Sequence, residues 1–164
     1  MVLAMNNAHI IYAIALGWIA LAGPLAAAPD FGDHRSETLT SKSWKAYEAQ
    51  SMDDALAYIA KCLELYEAEA KKMQAAMKEI PANEPKEETF KRWALNDVGT
   101  CLFIKGEILL KKGDKAGAKE AFSKLANDFK CARCWDTKGW FWNPADTAKQ
   151  KLVELEFDAK SAGK

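Results

Sequence analysis

Apolar residues recur every three to four positions along most of the chain after residue 43, which is the spacing of a helix that buries one face. A strand-like alternation with a period of two is not sustained anywhere in residues 29–164. Helix-forming alanine, lysine, glutamate and leucine dominate the same region. The pattern therefore predicts an all-α fold.

The clearest local signal is KGEILLKKGDKAGAKEAFSKL, residues 105–125, which has the spacing of a helical hairpin. Gly113 and Asp114 are suited to end one helix and to cap the next. Gly106 permits a second helix to pack closely on the first. The buried face of the second helix is predicted to contain Ala118, Phe122 and Leu125. This spacing is typical of a tetratricopeptide unit of about 34 residues.

A second, weaker copy lies upstream in SWKAYEAQSMDDALAYIAKCLELY, residues 43–66. Ser43 stands in the place of Gly106, so the small residue persists, and a turn is expected at 51–53. The positions that match the buried face of the first copy are Ala55, Ile59 and Cys62. Two helical hairpins are therefore expected.

Extra helix is expected between these units, because the equivalent residues Ala55 and Ala118 are 63 positions apart. The earlier helix is predicted to continue to about Ile80, and PANEPKEET to form a turn. One long helix then covers 90–112, which gives an extended antiparallel hairpin. A capping helix is predicted from Pro144 with Asn143 as its N-cap, or alternatively one longer helix that is capped by Asp136 and bends at Pro144.

The first 28 residues contain no lysine, arginine, aspartate or glutamate, and 10–22 are wholly apolar or glycine. This pattern is typical of a secretory signal peptide, although the usual positive charge before the apolar run is missing. The alternative is a single membrane anchor. The domain boundaries are then 1–28 for the signal peptide, 29–42 for a flexible arm, 43–158 for the helical domain and 159–164 for a frayed tail. A periplasmic or secreted protein, with no membrane contact after cleavage, is expected.

Composition restricts the function further. The 23 basic and 23 acidic residues balance, so no positive excess exists to bind nucleic acid or an anionic membrane. His34 is the one histidine after residue 28, which leaves little for acid–base catalysis. No catalytic set, metal box or paired carboxylates are visible. The sequence therefore predicts a protein that is not an enzyme and has no cofactor.

Four cysteines are candidates for disulfides in an exported chain. Cys131 and Cys134 form a C-x-x-C motif, but Trp135 follows where haem attachment needs histidine. Zinc is disfavoured because the chain offers too few further ligands. One pairing joins Cys62 to Cys101 across two helices and Cys131 to Cys134; another joins Cys134 to Cys101. The sequence leaves all three connectivities open.

Aromatic residues crowd the segment CARCWDTKGWFWNP, residues 131–144. One interpretation is that they cover the open end of a helical stack. The other is a binding platform for a sugar or a peptide. Because consecutive Trp140, Phe141 and Trp142 cannot all point inward from a helix, at least one is expected on the rim. Trp140 and Trp142 are therefore candidate binding residues.

A second candidate surface is the groove formed by the first helix of each hairpin. Its side chains are expected to come from both units: Trp44, Tyr47, Thr100, Phe103, Glu107 and Leu110. An apolar, aromatic groove of this kind suits an extended apolar segment or an amphipathic helix. The alternative is that the C-terminal helix of the chain itself fills the groove.

From about Trp44 to Leu155 the chain resembles a group of small exported bacterial tetratricopeptide-repeat proteins. The resemblance rests on WALNDVGTC, residues 93–101, and on CWDTKGWFW, residues 134–142. Members are sometimes labelled β-glucanase precursors, but the acidic triplet of the common bacterial β-glucanases is absent. The resemblance therefore implies a repeat fold and an exported protein, and no reaction. The first functional hypothesis is a non-enzymatic scaffold for protein–protein interaction in the cell envelope. A glycan-binding accessory module that uses the tryptophan segment is the alternative.

Overall fold

The computed structural model describes residues 29–162, so the predicted signal peptide lies outside the described residues. Within that range the chain is mostly helical, with one small pair of strands, which confirms the all-α class in its coarse form. The elements in chain order are α1 (Ser36–Glu48), α2 (Met52–Ala75), α3 (Lys86–Lys91), α4 (Trp93–Lys111), α5 (Lys115–Asp128), β1 (Cys134–Asp136), β2 (Trp140–Trp142) and α6 (Pro144–Ala162). None of the helices in residues 29–162 has the length and apolar character needed to cross a membrane.

The predicted hairpin of residues 105–125 is present as the carboxyl half of α4 followed by α5. Asp114 caps α5, its carboxylate accepting a hydrogen bond of 2.8 Å from the Gly117 backbone N–H. Gly113 between the helices has φ +80°, a conformation that favours glycine. A Cβ at Gly106 would lie only 2.3 Å from a ring carbon of Phe122, so glycine is what lets the two helices approach.

The first hairpin, α1 with α2, repeats this arrangement. Ser43 is fully buried in the place of Gly106, and its hydroxyl donates to the Leu39 carbonyl. The matched positions of the two second helices are all buried: Ala55, Ile59, Cys62, Ala118, Phe122 and Leu125. Helix α4 is the central element and contacts α1, α2, α5 and α6. The pairing of helices is therefore as predicted.

The long central helices differ from the prediction. Helix α2 ends at Ala75 rather than near Ile80, and the predicted helix over 90–112 is broken at Arg92. At this break the Asn96 side chain donates a hydrogen bond of 2.8 Å to the Thr89 carbonyl. A side chain thus replaces part of the backbone bonding that a continuous helix would supply.

The two predicted flexible ends are also partly wrong. Helix α1 begins at Ser36, inside the expected arm, because Leu39 is fully buried against the core. Asp30, which precedes the helix, is tied to it because the Lys42 ammonium of α1 donates a hydrogen bond of 2.6 Å to the Asp30 carbonyl. At the other end α6 continues to Ala162, through residues expected to fray.

The segment after α5 forms an antiparallel β-hairpin, whereas no strand was predicted. Cys134 pairs with Trp142, Trp135 with Phe141, and Asp136 with Trp140. The three-residue turn ends at Gly139, with φ +100°, and the Gly139 N–H donates to the Asp136 carbonyl at 2.9 Å. The predicted cap of α6 is confirmed, since the Asn143 carboxamide oxygen accepts from the Ala145 N–H at 2.8 Å.

Candidate functional site: an aromatic groove

A cavity of about 900 Å³ lies between α1, the α3–α4 junction and the β-hairpin. We call it the aromatic groove. Its aromatic lining comes from all three sides: Trp44, Phe90, Trp93, Trp135, Trp140, Phe141 and Trp142. Its charged lining residues are Glu37, Lys45, Glu48, Asp97, Arg133 and Asp136. The groove thus joins parts of the chain that are more than 90 residues apart in sequence.

Because side chains alternate along a strand, the aromatic rings of the β-hairpin are divided between its two faces. Trp140 and Trp142 lie on one face, and Phe141 lies on the other, opposite Trp135. The Trp142 ring packs edge-on against Phe103 of α4 at 5.0 Å between centroids. Trp140 lies near the turn and remains 52% exposed. One ring of this segment is therefore packed against α4 and another is accessible.

The outer wall of the groove is an aromatic cluster in which Phe90 of α3 contacts Trp135 and Phe141 of the hairpin. The three centroids are 4.8–6.1 Å apart, and every pair is tilted edge to face. The Lys86 ammonium lies 3.7 Å from the Trp135 ring centroid, so a cation already occupies one face of this wall.

Phe90 is held in place by a partly enclosed ion pair at the helix break. Glu84 accepts hydrogen bonds from the Arg92 guanidinium and, at 2.7 Å, from the Thr89 hydroxyl. The hydrogen bond from Arg92 keeps the pKa of Glu84 below its ordinary value. The α3 helix is thereby fixed against α4 with its aromatic ring toward the hairpin.

Asp97 of α4 is a partly buried carboxylate at the base of the groove. The Ser36 hydroxyl donates to it at 2.5 Å, from the first turn of α1. Burial raises the pKa of Asp97 to about 6, with Ser36 acting in the opposite direction and nearby Glu37 adding repulsion. Within residues 29–162 no lysine or arginine forms an ion pair with it. The groove therefore contains an acidic group without a counter-ion.

The neighbouring residue, Asn96, attaches the hairpin to the helices. Its carboxamide oxygen accepts a hydrogen bond of 2.9 Å from the Arg133 backbone N–H, while its amide donates to Thr89. The Arg133 guanidinium lies 5.4 Å from the Phe141 ring centroid. One buried amide thus positions α3 and the entry to β1 at once.

Of the residues predicted to bind, four line the aromatic groove: Trp44, Thr100, Trp140 and Trp142. The structure therefore brings the two surfaces predicted separately, the helical groove and the tryptophan segment, into one site.

The other four lie toward the far end of α4 or beside Trp44, outside this cavity. Phe103 is packed between Trp142 and Phe122. Glu107 forms an ion pair of 3.2 Å with Lys151 of α6. Tyr47 packs edge-on against Trp44 and lies under the Lys111 ammonium, and Leu110 is half-buried against the core. The Trp142 ring of β2 and Lys151 of α6 therefore cover part of the groove that the sequence predicted, whereas the alternative interpretation assigned this covering to the C-terminal helix alone.

All four cysteines are free thiols, so none of the three predicted pairings is present. Cys62 and Cys101 do meet across α2 and α4, and the Thr40 hydroxyl lies 3.4 Å from the Cys101 sulfur. The hydrogen bond with Cys62, together with complete burial, raises the pKa of the Cys101 thiol. No group of three or more metal-binding side chains is assembled in the described part of the chain.

The C-x-x-C cysteines point to different partners. The Cys131 backbone N–H donates to the Gln74 side chain at 2.8 Å. Cys134 lies in β1 at the base of the groove, within hydrogen-bonding reach of Thr100 and Trp142, and burial raises the pKa of its thiol. Cys131 lies before β1 and Cys134 is its first residue, and the motif does not close into a small disulfide loop.

The sequence prediction missed several residues that shape the groove: Phe90, Trp93, Asn96, Asp97 and Arg133. Trp135 was part of the predicted aromatic segment but was not chosen as a binding residue. A signal for two of them was available. Asn96 and Asp97 are adjacent polar residues in the otherwise apolar run WALNDVGTCLFI, where a buried polar side chain requires a specific partner.

Comparison with known proteins returns no match: no family model, no curated protein and no solved structure resembles the chain significantly.

Proposed function

We propose that the chain is a non-enzymatic, exported binding protein of the tetratricopeptide type, and that the aromatic groove binds a segment of a partner protein in the cell envelope. The observation that supports this proposal is the concentration of tryptophan. Five of the six tryptophans in the sequence line one groove, and the sixth, Trp18, is outside the described residues. Aromatic side chains in this density are typical of binding hot spots.

The size and the construction of the groove support the same proposal. A volume of about 900 Å³ is near the upper end of the range for ligand pockets, roughly 300–1,000 Å³. That volume accommodates several side chains of an extended peptide. Its walls are helices and a hairpin joined by hydrogen bonds through Asn96, so the site is largely formed before a ligand arrives.

The proposal is tested by selecting peptides that bind the purified protein from a displayed random decapeptide library. Binding of a selected peptide is then followed by the intrinsic fluorescence of the groove tryptophans. We expect Trp140→Ala to weaken binding by about tenfold or more, because this ring is the most exposed of the groove tryptophans and is open to a ligand. The matched control is Phe157→Ala on α6, where the ring is 71% exposed and outside the groove; this variant should bind as the wild type does.

Two results would contradict the proposal. One is a library from which no sequence is enriched over a surface without protein. The other is a selected peptide whose affinity is unchanged by Trp140→Ala but reduced by Phe157→Ala.

A glycan is the second candidate ligand, supported by the exposed Trp140 ring beside Asp136 at the lip of the groove. A flat ring next to a hydrogen-bonding carboxylate is a suitable platform for a sugar. Titration with cell-wall and glucan oligosaccharides should then change the same tryptophan fluorescence, and the change should be lost in Trp140→Ala. A flat response to the oligosaccharides together with enrichment of peptides would favour the protein ligand.

A further inference from the structure

The charged residues around the aromatic groove are predominantly acidic. Four carboxylates line it, and only two cationic side chains do so: Glu37, Glu48, Asp97 and Asp136 against Lys45 and Arg133. One cation and one carboxylate are already engaged. The Arg133 guanidinium lies over the Phe141 ring and acts on the Glu84 carboxylate, and Arg35 donates to Glu37 at 3.5 Å, which leaves three carboxylates against Lys45. The groove therefore presents a net negative lining to a ligand.

Asp97 is the carboxylate whose position is most specific. Its oxygen Oδ2 accepts the Ser36 hydrogen bond, whereas Oδ1 has no hydrogen-bond partner among residues 29–162. The one charged side chain that acts on it there is Glu37, which has the same sign. A partly buried carboxylate normally has a cation or several donors beside it. Asp97 lines the groove, so Oδ1 is left for a donor on a ligand.

The aromatic rings of the groove also favour a positively charged ligand. A cation is attracted to the face of a tryptophan ring, and Lys86 shows this arrangement at 3.7 Å from Trp135. No lysine or arginine in residues 29–162 lies over the rings of Trp44, Trp93 or Trp140. Three tryptophan rings and an unpaired carboxylate thus remain for a ligand.

We infer that the groove selects a partner segment that carries a lysine or arginine side chain, whose charged head contacts the Asp97 carboxylate and whose stem packs on the tryptophan rings. This inference rests on the proposed function and specifies the chemistry of its ligand. An aliphatic stem with a cationic head matches an aromatic wall with an acidic base. Charge complementarity of this kind contributes to the choice of partner.

The test begins with the sequences selected from the decapeptide library. Lysine and arginine should be enriched among them relative to the unselected library. One selected peptide is then synthesised with blocked ends, and its basic residue is replaced by norleucine, which keeps the stem and removes the charge. We expect wild-type protein to bind the norleucine peptide about tenfold or more weakly.

A variant of the protein completes the test. Asp97→Asn should bind the lysine and norleucine peptides with similar affinity, because the acidic partner is gone. Glu154→Gln, an exposed carboxylate of α6 outside the groove, is the control and should keep the preference. The lysine–norleucine comparison uses wild-type protein, so it stands even if the Asp97→Asn variant folds poorly.

The outcomes separate this inference from the proposed function. Peptides that are enriched without basic residues, or that bind equally well with norleucine, overturn the inference and leave the proposed function in place. Complete competition by tetramethylammonium or arginine amide, at the concentrations at which the peptide binds, also overturns it, because the site would then be one for a small cation. A library without any enriched peptide contradicts the proposed function itself.

Discussion

The two ends of helix α4 present the same kind of surface, but one end is open to the groove and the other is covered. At the amino-terminal end, Trp93, Asp97 and Thr100 border the open groove. At the carboxyl-terminal end, Phe103 is covered by the Trp142 ring and Glu107 is paired with Lys151 of α6. One end is therefore available to a ligand, whereas the other is sealed by the chain's own C-terminal segment.

The contrast shows that a cluster of tryptophans is not by itself either core or binding surface. Trp140 and Trp142 lie on the same face of one short strand, yet Trp142 rests on Phe103 while Trp140 remains 52% exposed. What decides the role of each ring is the presence of an apolar side chain beneath it. The covered end should accordingly control stability, and the open end should control binding.

The largest effect is expected at the covered end. Phe122 is fully buried between Gly106 and Phe103, so Phe122→Ala should lower the free energy of unfolding by about 3–5 kcal/mol through lost packing and a cavity. Urea unfolding followed by circular dichroism measures the change. Phe157→Ala, the exposed matched control, should stay within about 0.5 kcal/mol of wild type. Equal losses in both variants would mean that the covered end is not the core described.

The next effect concerns Asp97 at the open end. Its pKa is raised from 3.8 in the unfolded chain to about 6 in the folded protein, so the folded state holds this proton more tightly. Below about pH 3 the group is mostly protonated in both states and costs little stability. As the pH rises to about 6 the unfolded chain ionises first, and up to about 3 kcal/mol of stability is lost.

Unfolding of wild type and Asp97→Asn at pH 4 and at pH 7 measures this loss. The variant should gain much more stability relative to wild type at pH 7 than at pH 4. The polar groups that face Asp97 are Ser36 and Glu37 of α1 and the thiols of Cys101 and Cys134. Ser36→Ala should enlarge the pH-dependent loss, since it removes the hydrogen bond that lowers this pKa. A difference that is equal at both pH values would contradict the assignment.

The smallest expected effect on stability comes from replacing the two tryptophans of β2, which can be compared directly. Trp142→Ala removes a half-buried ring from Phe103 and should cost about 2 kcal/mol, roughly half the cost of a fully buried aromatic residue. Trp140→Ala should change stability by no more than about 0.5 kcal/mol, because the ring is largely exposed. Thermal unfolding of the two variants side by side provides the measurement. The comparison fails if Trp140→Ala is the more destabilising of the two.

The features that were predicted correctly depend on neighbours in sequence. The cap by Asp114, the close approach at Gly106 and the N-cap at Asn143 each follow from one or two residue types at a fixed local spacing. The buried positions of both hairpins follow from helical periodicity, which a single sequence displays directly.

The features that were missed depend on contacts between distant residues. No proline or glycine lies at the helix break at Arg92, so the sequence has no local signal for it. The break is stabilised by the side chains of Asn96 and Glu84. The β-hairpin is too short to show a period, although tryptophans on alternate positions after a turn that ends in glycine are a usable signal. Asp97 has a raised pKa because the fold buries it, and its hydrogen-bond donor Ser36 is 61 residues away in sequence.

The sheltered thiols of Cys62 and Cys101 have a practical consequence. Because both sulfur atoms are shut away from solvent and the Cys101 thiol resists ionisation, a maleimide reagent reaches them only when α2 and α4 separate. The rate at which Cys62 and Cys101 are alkylated under native conditions therefore reports how often the interior between α2 and α4 opens.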